Sequence, residues 1–564
     1  MNSQDDKATQ RFHLRRIAQP LLMIAALLTG VTVVAATLSR RPKIDPPETF
    51  RKHYSPTDFV QTLATSNSQL AKMAQDQEVQ TAPRADDLTI ARRISLALVG
   101  NGMSLEEIRA LMLVPEDRRV EWWTSYLLED RRWADYFAER FARAYVGTDA
   151  GPFLLFRRRK FTMWLADQLE NDRPYDQIVR KVLSAEGLWT DTPQVNFITA
   201  TMDSNGDRPD PIRLAGRTAR AFMAQRIDCL QCHDDFLGDL DFGGSGKEIE
   251  GVQQHFHQLA AFYSGTSLSD PVFSGIREDG TNYVYKYLGE EEEVTVTPQV
   301  PFYAELLPED GKPRERLAAW VTSTENRAFS RATVNRVWAL LFLRPLVAPV
   351  DSIPLDDNVP EVLDTLAEDF SKHQFDLKRL IRLIIQTDAF QRSSRADFEI
   401  TGKHERHWAA FPLTQLRPEQ VAQSAFQASK LTAVDYSSSI FTQLKSFGDR
   451  NNFLKAFGDR GEDEFEEEAV TITQRLVLMN GNLTKDYTKV DMVNNASTRI
   501  ANIVNDDLEV VRLVYLNVLN RVPSDTEASA FSAFLENKKN NDRARAVGDI
   551  YWALMNSTEF SWNH

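Results

Sequence analysis

Cysteine is almost absent from this chain of 564 residues; it has two, at positions 229 and 232. A secreted protein of this length has room for several disulfides, so a disulfide-built framework is excluded, and both cysteines fall in one pentapeptide, Cys229-Leu-Gln-Cys232-His233. Cations are also short: 66 Lys and Arg face 80 Asp and Glu, a net charge of -14. That leaves no surplus to neutralise phosphates, which argues against sequence-independent nucleic-acid binding. No fixed-period repeat occurs, so a solenoid is not expected. There is no Gly-x-Ser-x-Gly elbow. The glycines at 243, 244 and 246 before Lys247 do not make a phosphate loop, because Asp241 stands where its first glycine belongs and Glu248 follows the lysine. What is present is ordinary for folded protein, 42% hydrophobic with 26% charged residues, and the length calls for two or more globular units.

The pentapeptide carries the chemistry. On a helical turn, cysteines at i and i+3 point to one side, and His233 follows at once. A covalently attached haem requires that arrangement, two thioethers and a proximal imidazole. One haem c is therefore the expected cofactor, bound by Cys229, Cys232 and His233. A second axial ligand would come from Met223, His255 or His257. If Gln253–Leu259 is helical, the two histidines point about 200° apart; His257 shares its register with Ala260, Ala261 and Tyr263 and is favoured, so the expected metal ligands are His233 and His257. The plain alternative is that both later histidines are surface or capping residues. Zinc is the alternative cofactor, since two thiolates, His233 and a later imidazole make a Cys2His2 set with Asp234 and Asp235 beside it. A redox dithiol is the third option, though no βαβ pattern surrounds the motif.

One long apolar run exists. No charged residue occurs from Ile17 to Ser39, long enough for the ~20 residues that span a bilayer and longer than the apolar part of a cleaved signal, roughly 7–15 residues. Residues 17–38 are expected to be a signal anchor, with Val34-Ala35-Ala36 keeping cleavage open. The slight excess of Lys7, Arg11, Arg15 and Arg16 over Arg40, Arg41 and Lys43 places residues 1–16 in the cytoplasm. Covalent haem attachment occurs outside the cytoplasm. Together these predict a single-pass inner-membrane protein with its main domains in the periplasm, contacting the membrane and a redox or surface-protein partner.

The rest reads as a mainly α protein. Residues 39–85 form a tether with one helix over 56–75, from its Pro46-Pro47 and its polar Thr65-Ser66-Asn67-Ser68. Residues 86–263 are a helical domain opening on an N-cap at Asp86-Asp87. Its helices are predicted over 105–113, 118–128, 133–145, 161–170, 175–183 and 214–226 by apolar periodicity. Residues 264–305 hold a small antiparallel insert, marked by Tyr283-Val-Tyr285-Lys-Tyr287 and Val294-Thr-Val-Thr297. Residues 306–564 are helical again, with helices over 316–322, 331–342, 359–373, 377–387, 418–430, 510–519 and 546–555; Gly461–Glu468 reads as a solvated acidic loop. Arg157-Arg158-Arg159-Lys160 would receive haem propionates or an acidic partner, or else simply begin a helix. Trp320 and Trp338 are expected in the core. Glu186, Asp191, Asp351, Asp356 and Asp357 contain candidate carboxylate pairs for glycoside cleavage, a reaction defined by a separation that sequence does not give.

Several segments in order resemble the envelope proteins that pair a planctomycete cytochrome C (PSCyt) domain with a planctomycete surface-associated (PSD) domain. They are Arg92–Gly100, Trp133–Arg140, Asn171–Asp176, Cys229–Asp234 and Leu259–Tyr263 in the first half. In the second they are Arg316–Trp320, Val334–Trp338, Leu380–Ile384, Leu416–Gln420 and Leu478–Gly481. The resemblance implies a cytochrome and no established reaction. This chain departs from the pattern twice. Relatives read Cys-His-Asp-His-Pro-Phe where this one has Asp235, and a His-Pro of the PSD half is replaced by Asn358-Val-Pro-Glu361. The expectation is a membrane-anchored periplasmic monohaem c-type cytochrome-like protein passing electrons to or from a partner. Its rivals are a surface-associated scaffold whose motif is structural, metal-binding or vestigial, and a polysaccharide-active enzyme.

Overall fold

The computed structural model describes residues 57–148, 158–202, 208–236, 238, 240–244, 246, 248–270, 275–458, 461, 465 and 471–564. The expected cytoplasmic tail and membrane anchor lie outside the described residues, as does most of the acidic loop. Among the described residues no helix is long and apolar enough to cross a membrane.

The described chain is mainly helical with three small antiparallel strand pairs. The Asp87–Val99 helix shows how locally determined its elements are. Asp86 caps its first turn through Thr89 N, and Gly100 closes it at φ 76 in the left-handed region. A side chain at that glycine would also run into the Tyr136 ring. The Leu105–Met112 helix opens with a Ser104/Glu107 capping box. Several helices begin earlier than periodicity alone indicates, among them those at Arg158, Pro211, Arg327 and Asn540.

The centre is the Arg327–Phe342 helix, buried from Ala328 to Phe342. A helix buried on every side, its polar Arg331 and Asn335 included, sits inside the others. It packs against Pro211–Met223, Asp87–Val99, Glu361–Lys372 and Leu377–Gln386. Trp320 and Trp338 are both fully buried, as expected, so truncating either should cost about 3–5 kcal/mol. One apolar core runs from Phe59 to Phe560. The two helical halves therefore share it, and polar ties cross between them: Arg140 pairs with Glu419 at 2.7 Å, and Ile353 N donates to Ala224 O at 2.9 Å.

The helix expected over 56–75 is present, but it is a core element and not part of a tether. Thr57–Asp76 is a helix that buries Phe59, Leu70 and Ala74 against the helices Glu361–Lys372 and Leu377–Gln386. Its polar middle misleads because one narrow apolar stripe suffices for docking, and even Ser66 is fully buried.

The insert is two hairpin-like pairs, Thr266–Asp270 with Gly275–Glu278 and Tyr283–Tyr285 with Val294–Val296. Alternation along the second pair leaves Tyr283, Tyr285 and Tyr287 half-buried and Val284, Lys286 and Leu288 exposed. The third pair joins Thr414–Gln415 to Trp562–Asn563 at the C-terminus.

Candidate functional site

The Pro211–Met223 helix is capped by Asp210, buries Leu214, Ala215, Ala219 and Phe222, and ends at Ala224 in the left-handed region. The next residues tie the chain to the second half: Gln225 Nε2 donates to Ile353 O at 2.7 Å and Arg226 Nε to Asp351 Oδ1 at 2.7 Å. A 3₁₀ turn over Asp228–Gln231 follows. Cys229 lies within it and Cys232 caps its end, so the two cysteines share one turn. Leu230 between them is fully buried and holds the turn to the core. The amides of Cys232 and His233 both donate to Cys229 O, at 3.2 and 3.4 Å. Arg220 Nε holds Asp228 at 2.6 Å. Both thiols are free and exposed. Partial burial, reinforced by Asp235 and Asp228, pushes the Cys229 thiol up.

His233 Nδ1 lies 2.7 Å from the Asp234 carbonyl oxygen. A carbonyl only accepts, so Nδ1 carries the proton and the lone pair sits on Nε2, the tautomer a metal-ligating histidine adopts. The ring stacks on exposed Phe236 at 5.5 Å. Asp235, the departure from the relatives' histidine, is buried; its Oδ2 accepts Leu240 N at 2.7 Å and its own amide donates to Gly251 O at 2.9 Å. It braces the loop after the motif.

Beneath the turn, three side chains converge on the Gln231 carbonyl oxygen: His257 Nε2 at 3.0 Å, Gln253 Nε2 at 3.1 Å and Tyr285 Oη at 3.2 Å. His257 is fully buried. Its Nδ1 meets Tyr283 Oη at 2.9 Å, and its ring stacks on Tyr285 with centroids 3.4 Å apart. His255 points elsewhere, accepting Val252 N at 3.2 Å through Nδ1 and meeting Phe242 edge-on. Burial pushes both histidines below their ordinary range. Periodicity separates the two rings correctly. The Gln253 and Tyr285 contacts are not legible in it, and their one sequence signal is the alternating tyrosines that share a strand face.

Among the described residues no three His, Cys, Asp or Glu groups gather as a metal site. A Cys2His2 set is not assembled, since the turn presents Cys229, Cys232 and His233 while both nitrogens of His257 are engaged beneath it. The fit to covalent haem is different in kind. It asks for two exposed thiols on one turn and an adjoining imidazole, and the described residues have these. Met223 is buried. The basic cluster holds local structure, with Arg158 on Glu139 and Gly147 O and Lys160 on Thr190 O. Three of the five candidate carboxylates are ion-paired to separate cations, Asp351 to Arg226, Asp357 to Arg327 and Glu186 to Lys312. Glu361, at the lost His-Pro, pairs with Lys72.

Residues 67–242 match PSCyt2, a protein family of unknown function (DUF1549), and residues 313–535 match PSD1, another of unknown function (DUF1553). No curated protein and no solved structure matches the chain. The pentapeptide falls inside the first match. Gln253, His257 and the tyrosine hairpin fall between the two.

Proposed function

For a chain that joins a PSCyt2 domain to a PSD1 domain in that order, we propose a membrane-anchored, periplasmic, monohaem c-type cytochrome-like protein that passes electrons to or from a partner protein. One observation supports it above the rest: two exposed free thiols share a single turn beside a histidine whose Nδ1 lies 2.7 Å from a backbone carbonyl oxygen. Cys229 and Cys232 would hold the group, each S–H adding across one vinyl C=C to give a thioether without an external oxidant. His233 Nε2 would be the iron ligand. When bound, haem supplies one-electron redox chemistry.

The chain's own residues account for the geometry. The Asp234 carbonyl fixes the His233 tautomer and ring plane, Leu230 and Ile227 root the turn in the core, and Asp235 stiffens the loop behind it. Residues 17–38 as anchor and residues 1–16 as cytoplasmic tail belong to the same proposal; their support is the uncharged apolar run.

The test is to produce the full chain in a host with a working c-type maturation system, then combine intact mass with acid–acetone extraction. Haem-bearing mass and retained haem absorbance are expected, and both should vanish in Cys229→Ala/Cys232→Ala. Chain recovered from such a host without covalent haem would overturn the proposal.

A further inference from the structure

We infer that Gln253, His257 and Tyr285, supplied by the segment between the two domains, form a donor set that positions the cysteine turn, and that His257 is a positioning residue and not an iron ligand. This rests on the haem-attachment reading above.

The protonation of the network follows from its acceptors. The Gln231 carbonyl can only accept, so His257 Nε2 at 3.0 Å carries its proton. The other nitrogen, Nδ1, then accepts from Tyr283 Oη at 2.9 Å. Neither nitrogen keeps a lone pair for a metal. Gln253 is oriented the same way: its Oε1 accepts Leu288 N at 2.9 Å, which turns Nε2 toward Gln231 O and Tyr285 Oη. Tyr285 Oη accepts from that amide and passes its own proton to Gln231 O at 3.2 Å. Every donor in the cluster has an acceptor.

A backbone carbonyl has two lone pairs, and three donors on one oxygen is more than helix or sheet provides. The carbonyl chosen lies between the two cysteines. Pinning it fixes the peptide plane that leads into Cys232, and so holds the Cys232 and His233 amides over Cys229 O. The donors come from two elements, the Gln253–Ala260 helix and the Tyr283–Tyr285 strand. Two of the donors, Gln253 and His257, are buried. Such a network is effective because partial satisfaction is costly in a site with little water.

The experiment uses the full chain in haem-free and matured forms, with His257→Phe, His257→Gln and Tyr285→Phe. Gln at 257 restores an N–H near the imidazole Nε2 position. In haem-free protein, hydrogen exchange at the Cys232 and His233 amides should speed about fivefold in His257→Phe, the factor matching a net hydrogen bond of about 1 kcal/mol. His257→Gln should return it to near wild type, and covalent haem yield in matured samples should fall and recover in the same order. Tyr285→Phe keeps the stacked ring and loses one donor; it serves as the probe if His257→Phe does not fold. Unchanged exchange in folded His257→Phe or Tyr285→Phe overturns the inference, as does a rise that His257→Gln fails to reverse. A low-spin bis-imidazole spectrum in wild type that turns high-spin in His257→Gln overturns it too, by making His257 a ligand. Exchange behaving as expected in a chain that never acquires haem upholds the positioning set and overturns the cytochrome reading alone.

Discussion

Replacing Asp369 by Asn should destabilise the protein by about 3 kcal/mol, the lower end of the 3–5 kcal/mol that removing one partner of a buried ion pair costs. Asp369 receives Arg379 at both oxygens, Nε to Oδ2 and Nη2 to Oδ1, each at 2.8 Å. Both side chains are 5% exposed, so solvent cannot replace the lost charge. The amide keeps shape and volume, which removes any cavity contribution, but its NH2 must face a guanidinium. Asp58 remains 3.5 Å from Arg379 and is 40% exposed, and this second carboxylate sets the value at the lower end. Asp369 Oδ1 also accepts from Thr62 Oγ1 at 2.9 Å, so the Thr57–Asp76 helix should loosen as well. Urea denaturation of the full chain measures the loss, and limited proteolysis reports release of the helix. A companion Asp369→Asn/Arg379→Met variant should recover part of the stability, with a coupling of about 0.5–3 kcal/mol. A loss below about 1 kcal/mol, which exposed pairs contribute, would refute the reasoning.

Acid should find a second weak point near the C-terminus. Arg521, bonded to Glu527 at 2.8 Å, holds that carboxyl down to about 2. A carboxyl depressed in the folded state contributes stability that is complete above its unfolded value and lost as pH falls toward the folded one. Denaturation midpoints should therefore drop between pH about 4.5 and 2, less steeply in Glu527→Gln; equal slopes would count against the pair. Gly548 faces the Thr488 carbonyl so closely that a methyl group would overlap it, so Gly548→Ala should cost about 1–3 kcal/mol by denaturant titration; a neutral result would mean the helix contact is looser than drawn. Cys229→Ala/Cys232→Ala in haem-free protein should stay within about 0.5 kcal/mol of wild type, because both thiols are exposed and unpaired. A large loss would show a structural role for the thiols.

Elements set by neighbours in sequence were legible beforehand. The Asp86 cap, the helices around Trp133, Tyr175 and Leu377, and the tyrosine strand all carry their signal within a few residues. The same holds for the pentapeptide, whose spacing already implies two thiols on one side. The helix at Thr57–Asp76 was legible, but its docking was not, because its polar stretch outweighs in composition the few apolar residues that decide its burial.

By itself, then, the sequence determined the helical class, the insert and the Cys229-Leu-Gln-Cys232-His233 turn, since caps, periodicity and i to i+3 spacing are local properties. Only tertiary structure decided what surrounds that turn. His257 is 24 positions beyond His233, and nothing in its own segment says whether its nitrogens meet a metal or a carbonyl. That depended on a strand further along the chain bringing Tyr283 and Tyr285 against it, and on Gln231 turning its oxygen inward. Asp235 is the same case: in sequence it is a lost histidine, and in the fold it is a buried acceptor for Leu240. Hydrogen bonds between distant segments form after packing has placed their partners, which is why they leave no periodic trace.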